Sequence, residues 1–232
     1  MTGEPEPASA ELPPLAGIIL VDKPARRPIT SMVAVHEVRR RLVAGGLGPW
    51  KKLKVGHAGT LDPLASGLLV VLVGKATKMC DALMAKTKVY AATIDLSRRS
   101  PSEDLERETV LNEIAAPPTR PQVDAALAAF VGDIQQRPPD HSAVWIEGKR
   151  AYDIARSGRD PKTQPRIIRI DSIAVTHYDF PLLSFEVQCG KGTYIRSLAR
   201  DVGEALTGWP ACLTALRRTH SAPFSVADAL PM

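Results

Sequence analysis

The longest apolar run in the chain constrains its fold more than any other feature. Residues 68–73 read LLVVLV. This run is too short to cross a membrane, because a spanning helix needs about 18 or more apolar residues. A short, continuous apolar run of this kind is typical of a buried strand. The sequence therefore predicts a sheet with this segment inside it.

Further strands and helices alternate irregularly around this run. Strand patterns occur at residues 17–21, 88–96, 167–175 and 183–189. The first helical pattern follows a cap at Thr30 or Ser31 and has Met32 on its apolar face. A second covers residues 75–86, with Met79 turned inward, and a third begins at Pro121, with Val131 on its apolar face. A fourth covers residues 195–206. This order predicts an α/β (α+β) domain with a mixed sheet, and it disfavours strict βαβ repetition.

Length and composition indicate an ordinary globular protein. The chain has 232 residues and a net charge of +5, which permits an anionic partner without demanding one. Residues 1–15 are rich in Pro, Glu and Ala and predict a disordered leader, so residues 16–232 form the predicted domain. The three cysteines have no metal-ligand spacing, and the N-terminus lacks a signal-peptide pattern. We therefore expect reduced thiols in a cytoplasmic protein, with no membrane span.

A glycine-rich polar segment precedes the apolar run. Residues 54–69 read KVGHAGTLDPLASGLL, with Asp62 directly before Pro63. Pro63 suits the first position of a short helix, so Asp62 could be simply the residue that caps it. Alternatively, Asp62 is a charged nucleophile or base. The spacing alone leaves both interpretations open.

Residues 56–69 (GHAGTLDPLASGLL) resemble the catalytic segment of the TruB family, the tRNA pseudouridine-55 synthases. Further segments resemble motifs of the same family in the same order, and these are GIILVDKP at 17–24, KVY at 88–90, the region 136–158, CGKGTYIRSLARDVGEAL at 189–206 and LRR at 216–218. The resemblance covers about residues 16–230. It implies the pseudouridine synthase fold, a mixed, mainly antiparallel sheet flanked by helices, with a thumb-like insertion at about 135–164.

The resemblance assigns a role to each residue of the predicted active site. Asp62 matches the catalytic aspartate, which attacks the nucleoside so that uracil detaches, turns and rejoins through C5. Tyr90 would stack on the uracil, and Arg196 would pair with Asp62. The remaining substrate-binding residues would be Tyr194, His57, which fills the place of the flipped base, and Lys23. The isomerisation needs no redox change, so the resemblance implies no cofactor and no metal.

The resemblance also implies a folded RNA as partner, namely the T-arm of tRNA, bound by a monomer. Basic side chains would contact its phosphates, which makes binding depend on salt. The predicted RNA-binding residues are Lys51, Lys52, Lys54, Lys149, Arg150 and Arg156, with Arg39, Arg40, Arg41 and Arg159 as further candidates.

Some segments depart from the family pattern. The opening loop at 25–29 is two residues longer and lacks a glycine, and the loop at 97–104 lacks the usual turn rich in Thr and Asp. In the insertion, His141 and Trp145 replace the usual Tyr and Lys. We expect no C-terminal PUA-type domain. The alternatives are a synthase that acts on another structured RNA, and a catalytically silent tRNA-binding or tRNA-folding protein of the same fold.

Overall fold

The computed structural model describes residues 16–25, 28–142, 144–146 and 148–232. The predicted disordered leader at 1–15 lies outside these residues. No helix in the described part of the chain is both long enough and apolar enough to cross a membrane.

The strands and helices follow one another irregularly. The strands are β1 (Ala16–Lys23), β2 (Val55–His57), β3 (Ser66–Gly74), β4 (Lys88–Asp95), β5 (Arg98–Arg99), β6 (Val110–Leu111), β7 (Gly132–Gln136), β8 (Trp145–Ile146), β9 (Lys149–Arg150), β10 (Arg166–Asp179), β11 (Leu182–Cys189), β12 (Cys212–Ser221), β13 (Phe224–Ser225) and β14 (Leu230–Pro231). The helices are α1 (Ser31–Ala44), α2 (Cys80–Met84), α3 (Arg120–Ala128), α4 (Ala151–Arg156) and α5 (Ile195–Thr207), with 3-10 turns at Lys75–Met79 and Val226–Asp228.

One large sheet organises the domain. Its main path runs β14-β1-β3-β12-β4-β11-β10-β7, with β2 beside β3 and β13 beside β12. Within the described residues, the β1/β14 and β3/β12 pairs are parallel and the other pairs of this sheet are antiparallel. The predicted mixed, mainly antiparallel sheet is therefore confirmed.

Strand β3 is buried on both faces, as its apolar run predicts. Leu69 and Val71 pack in a cluster with Ala34 and Val35 of α1. The alternate residues of β3 pack on the opposite face, in a cluster that includes Leu83 of α2. Helices α3 and α5 cover the other half of the sheet, where they share a core with β4, β10, β11 and β12. The strand that follows the glycine-rich polar segment is thus held in a fixed position.

A single row of residues crosses five adjacent strands. Lys23 of β1 lies opposite Gly67 of β3, Gly67 lies opposite Arg218 of β12, and Arg218 lies opposite Tyr90 of β4. Tyr90 in turn lies opposite Val187 of β11. We call these five positions the central row. It places two cations and a tyrosine at one level of the sheet.

The helices differ from the prediction in detail. Thr30 caps α1 by accepting a hydrogen bond from the Val33 N–H, as predicted. Met32 and Met79 were expected on buried faces but are 46% and 47% exposed, and Val131, expected on the apolar face after Pro121, is 43% exposed. For the two methionines the reason is that small residues, Ala34 and Ala76, occupy the buried positions instead. Val131 is exposed because α3 ends at Ala128, before this residue. The predicted helix at 75–86 is a 3-10 turn followed by the short α2.

The first two residues of the predicted insertion at about 135–164 lie in the main sheet. Gln135 and Gln136 pair with Ile167 and Arg166, so they belong to the main sheet. The segment between these pairs carries the β8/β9 hairpin and α4. It also includes His141, whose carbonyl oxygen accepts a hydrogen bond from Arg196 of α5.

Gly67 allows the closest backbone approach in the central row. A Cβ at this position would lie 2.3 Å from the Arg218 carbonyl oxygen, and the residue has a φ of +97°. We expect Gly67→Ala to lower the free energy of unfolding by at least about 2 kcal/mol, because the new methyl overlaps backbone in a conformation that disfavours L-residues. Urea denaturation measures this change.

The matched control for this prediction is Gly17→Ala in β1. A Cβ at Gly17 would meet no atom within 4 Å. This variant should not be destabilised, because alanine loses less conformational entropy than glycine in a strand. Equal stability of the two variants would contradict the close approach at Gly67.

Candidate active site

Asp62 lies in a tight turn between β2 and β3. The Ala65 N–H donates to the Asp62 carbonyl oxygen at 3.1 Å, and strand β3 begins at the next residue. The predicted short helix at Pro63 is wrong, because the chain enters β3 before a helical turn can form. Asp62 therefore does not cap a helix, and this alternative for the residue is removed.

The Asp62 carboxylate is paired with the Arg196 guanidinium. Nε of Arg196 donates to Oδ2 at 2.9 Å, and Nη2 donates to Oδ1 at 3.2 Å. The Arg196 side chain is only 5% exposed, whereas that of Asp62 is 33% exposed. The pair is bidentate, so it fixes the plane of the carboxylate. The exposed part of Asp62 remains accessible to a substrate.

Arg196 is the first-turn arginine of α5 and uses its remaining donors to contact two loops. Nη1 donates to the Ser102 carbonyl oxygen and Nη2 to the His141 carbonyl oxygen, both at 3.1 Å. The Asp104 carboxylate lies 3.8 Å from Nε. Burial alone would lower the pKa of Arg196, but the carboxylates of Asp62 and Asp104 outweigh burial and raise it. The guanidinium is thus a permanently charged support for Asp62.

Two side chains hold the backbone of the Asp62 turn from the β1 and α1 side. The fully buried Lys23 ammonium donates to the carbonyl oxygens of Pro63 and Ala65 at 3.0 and 2.5 Å. The buried Ser31 hydroxyl donates to the Leu61 carbonyl oxygen at 3.0 Å and accepts from the Leu61 N–H at 2.8 Å. Burial lowers the pKa of Lys23, and the nearby Asp62 charge opposes this shift.

Arg218 supports the same segment from inside the sheet. It is 1% exposed, and its guanidinium donates to the carbonyl oxygens of Leu68 (2.8 Å), Gly59 (3.0 Å) and Thr60 (3.4 Å). A buried charge is expensive unless it is fully hydrogen-bonded. These carbonyl contacts compensate the Arg218 charge and fix the loop that leads to Asp62.

Tyr90 lies in the central row, and its ring is half-buried. It packs against the cluster that contains Leu61 and Ala65, the residues on either side of the Asp62 turn. Burial raises the pKa of the Tyr90 hydroxyl, while the Arg218 guanidinium acts in the opposite direction. The structure therefore brings Tyr90, Lys23, Arg196 and Asp62 to one region of the sheet.

His57 and Tyr194 lie at the ends of neighbouring elements. His57 ends β2, and its carbonyl oxygen accepts from the Cys80 thiol. Burial lowers the pKa of His57, and the charge on Arg218 lowers it further. Tyr194 precedes α5, where its backbone exchanges two hydrogen bonds with the Gln136 amide, at 2.9 and 3.1 Å. The Arg166 guanidinium lies 5.0 Å from the centre of the Tyr194 ring.

Four exposed lysines surround a cavity of about 440 Å³ near the start of β2. They are the predicted Lys52 and Lys54 together with Lys75 and Lys78 of the 3-10 turn after β3. We call this the lysine cavity. In the part of the chain that the structure describes, none of these ammonium groups forms an ion pair. Lys51 does not line the cavity.

The other basic candidates lie elsewhere. Lys149 and Arg150 form β9 of the insertion, where the Arg150 guanidinium lies 4.1 Å from the centre of the Trp145 ring, and Arg156 ends α4. Arg40 and Arg41 both pair with Glu37, so their charges are already partly compensated. Arg39 packs over the Trp50 ring, and Arg159 lies at an exposed site after α4.

The sequence alone did not single out several of the supporting residues. Ser31 was considered only as a helix cap, and Arg218 only as part of a motif without a role. Ser102 and Asp104 lie in the loop at 97–104, which departs from the family pattern. Asp104 is 4% exposed, and nothing in the sequence around it indicates a buried carboxylate.

The arrangement is suited to nucleophilic or acid–base chemistry by one carboxylate. Asp62 is held by a charged bidentate partner, its backbone is fixed on two sides, and an aromatic residue lies beside it. Asp62 also borders a cavity of only about 20 Å³, together with Asp104 and Leu216. This volume is far below the several hundred Å³ of an open ligand pocket.

Comparison with known proteins identifies the family. Residues 48–195 match the family model described as TruB family pseudouridylate synthase, N-terminal domain. The chain belongs to this family. The matched residues include the Asp62 turn, Tyr90, Tyr194 and the start of α5.

Curated relatives from the TruB family agree over most of the chain. A protein of Opitutus terrae named tRNA pseudouridine synthase B is 41% identical over 94% of this chain and 86% of its own length. A protein of the same name from Phocaeicola vulgatus is 43% identical over 92% of this chain and 88% of its own length. A third, from Bacteroides fragilis, reaches 50% identity over 73% of this chain and 72% of its own length.

Solved structures support the same fold. A chain of the structure "Crystal Structure of a Cbf5-Nop10-Gar1 Complex" superposes with a TM-score of 0.68 at 29% identity. The match covers 93% of this chain and 52% of that chain. This TruB-family chain therefore spans about half the length of that protein, and the predicted pseudouridine synthase fold is confirmed.

Proposed function

We propose that this chain converts uridine 55 in the T-arm of tRNA to pseudouridine, with Asp62 as the catalytic residue. Family membership and the relatives named tRNA pseudouridine synthase B support an isomerase that acts on tRNA uridine. The observation that carries the proposal is the Asp62 carboxylate, which is one-third exposed and held bidentately by the buried Arg196.

In this proposal the reaction is an isomerisation at one nucleoside. Asp62 attacks the sugar C1′ of the uridine, the bond between uracil N1 and C1′ breaks, and the base turns. A bond then forms between C5 and C1′ while the bond between Asp62 and C1′ breaks, C5 loses its proton, and N1 gains one. Atoms and electrons balance without a redox partner, which agrees with the expectation of no cofactor and no metal. That expectation stays a prediction.

The roles of the surrounding residues follow from their positions. Tyr90 stacks on the uracil, because its half-buried ring lies beside the turn that carries Asp62. His57, with its pKa lowered, presents a neutral ring that can replace the extruded base in the RNA loop. Lys23 acts through the backbone of residues 63–65, and Tyr194 lines the site at the start of α5.

The RNA partner is held by charge and shape. The lysine cavity concentrates four ammonium groups that have no carboxylate partner among the described residues, which suits a phosphodiester backbone. Lys51, Lys149, Arg150 and Arg156 extend this contact in the proposal. We propose that the protein acts as a monomer in the cytoplasm. Residues 16–232 are proposed to form one catalytic domain.

Tritium release tests this function. The protein is incubated in excess over a tRNA transcript that carries tritium at uracil C5, at low salt. We expect about one equivalent of tritium to be released per tRNA, because the C5 proton leaves when the new bond forms. No release would contradict the enzyme and favour a silent RNA-binding protein.

A second transcript with cytidine at position 55 locates the reaction. If the T-arm uridine is the target, this transcript should release no tritium while still binding the protein. Unchanged release would show that the enzyme acts on a different uridine, and would contradict the proposed T-arm site.

The lysine cavity predicts a specific change in salt dependence. Each Lys→Gln substitution at residues 52, 54, 75 or 78 should reduce the slope of log K against log [salt] by about 0.7–0.9, because one fewer counterion is displaced. Filter binding between 50 and 200 mM salt measures the slope. The control is Arg120→Gln on α3, where the charge is paired with Asp124 at 3.0 Å. Equal slopes for the control and the lysine variants would contradict an RNA contact at the cavity.

A further inference from the structure

Glu103 is a buried carboxylate in the loop between β5 and β6, and the chemistry proposed above does not use it. It is 9% exposed, and its backbone has a φ of +63°, in the region that residues other than glycine rarely adopt. Its carboxylate accepts hydrogen bonds from Nη1 of Arg200 at 2.6 Å and from the Ser197 hydroxyl at 3.1 Å. The loop is therefore held in an unusual conformation by two side chains of α5.

The two flanking residues of Glu103 both face Arg196. The Ser102 carbonyl oxygen accepts from Arg196 Nη1, and the Asp104 carboxylate lies 3.8 Å from Arg196 Nε. The conformation of Glu103 thus sets the positions of both groups. In turn, these groups orient the guanidinium that pairs with Asp62.

Arg196 and Arg200 lie one turn apart on α5 and bridge the same two segments. Arg196 contacts Ser102 and the His141 carbonyl oxygen at the start of the insertion. Arg200 contacts Glu103 and, through Nη2, the Arg137 carbonyl oxygen at 3.0 Å. Residues four apart on a helix share one face, so the two arginines form parallel links between the loop and the insertion.

The charges also support this arrangement. Two buried guanidinium groups on one helix face repel each other unless carboxylates separate them. Glu103 lies against Arg200, whose other guanidinium edge contacts Asp201 at 2.7 Å. Burial raises the pKa of Glu103, whereas Arg200 and Arg196 act to lower it. Removal of the Glu103 charge leaves the buried Arg200 guanidinium with Asp201 as its remaining carboxylate partner among the described residues.

We propose that Glu103 and Arg200 are positioning residues, which hold the 102–104 loop so that Arg196 presents its bidentate edge to Asp62. The inference rests on the proposed isomerase function. If the inference is right, substitutions in this pair lower the rate of the chemical step and leave the affinity for RNA unchanged. A purely structural pair would change stability alone.

The test uses the full chain at a saturating concentration, in excess over tRNA, so that single turnovers are measured. We expect Glu103→Gln and Arg200→Met each to lower the single-turnover rate of tritium release at least tenfold, while the Kd for tRNA changes less than twofold. The rate of the double variant should lie within about twofold of the rate of the slower single variant, because both substitutions break the same link. Arg200→Lys is a more conservative substitution because it keeps the positive charge. This variant should fold and should lower the rate of tritium release three- to tenfold.

The matched control is Arg98→Met. Arg98 pairs with the buried Asp95 carboxylate at 2.6 Å. Among the described residues, neither member of this pair forms a hydrogen bond or ion pair with Arg196. This variant should lower the melting temperature but leave the single-turnover rate unchanged. Wild-type rates in Glu103→Gln and Arg200→Lys, or multiplicative losses in the double variant, would overturn the positioning role. If instead the wild-type protein releases no tritium, it is the proposed function that fails.

Discussion

Asp62→Asn is expected to lower the rate of pseudouridine formation by a factor on the order of 10⁴ or more, the scale seen when an enzyme loses its nucleophile. Asparagine has nearly the same shape as aspartate, but its amide is neutral and a poor nucleophile. It also presents one NH₂ group toward Arg196, so only one of the two hydrogen bonds can persist. The loss should appear in the single-turnover rate of tritium release.

The structure also predicts the effect of this substitution on stability. Because Asp62 does not cap a helix, the cost arises from Arg196, which loses one charged partner and keeps Asp104 and two carbonyl acceptors. We expect the free energy of unfolding to fall by about 1–3 kcal/mol. Circular dichroism should show the same fold.

The chain offers a closely matched control for Asp62. Asp22 is also bound bidentately by an arginine, Arg217, at 3.0 and 2.8 Å, and its side chain is 32% exposed against 33% for Asp62. Asp22→Asn should therefore have a similar or smaller effect on stability and leave the rate nearly unchanged. Activity of Asp62→Asn within tenfold of this control would remove Asp62 from the catalytic role.

Arg196→Ala is expected to have the largest combined effect on stability and rate. It leaves Asp62 and the buried Asp104 without their cation, and it leaves two carbonyl oxygens without a donor. Breaking a buried ion pair from one side costs about 3–5 kcal/mol. Loss of electrostatic support for the reacting carboxylate should lower the rate by about 10²–10³-fold or more.

Arg196→Lys separates the two effects. Lysine keeps the positive charge but lacks the planar fork, so it cannot hold both oxygens of Asp62 or reach both loops. This variant should fold and still lose about 10²-fold in single-turnover rate, whereas Arg217→Lys, at the Asp22 pair, should not. A fully active Arg196→Lys would show that charge alone, and not the bidentate geometry, supports Asp62.

Periodic features of the sequence predicted the architecture well. The apolar run of β3 and the alternation in β11 each report which faces are buried, because the side-chain period of a strand is fixed. The segment that carries Asp62 was singled out by its resemblance to a family. The interpretation of Pro63 as a helix start was wrong because a local preference cannot report how soon the next strand begins.

Side chains that act from a distance in sequence could not be placed in this way. Arg218 resembles an ordinary charged residue of a terminal strand, and only the parallel pairing of β12 with β3 shows that it lies beneath the Asp62 loop. Glu103 resembles a solvated loop acid until α5 brings Ser197 and Arg200 against it. Charge compensation between remote segments leaves no periodic signal.

The central row sets different rules for insertions in loops and in strands. The opening loop carries two more residues than the family pattern, and β1 still places Lys23 opposite Gly67. A single residue added to β12 before Arg218 would instead move that side chain to the other face of the sheet, since neighbours in a strand alternate. It would carry a buried cation away from the carbonyls that compensate it. Over evolutionary time, length variation in this chain should therefore accumulate between the strands of the row and be excluded within them.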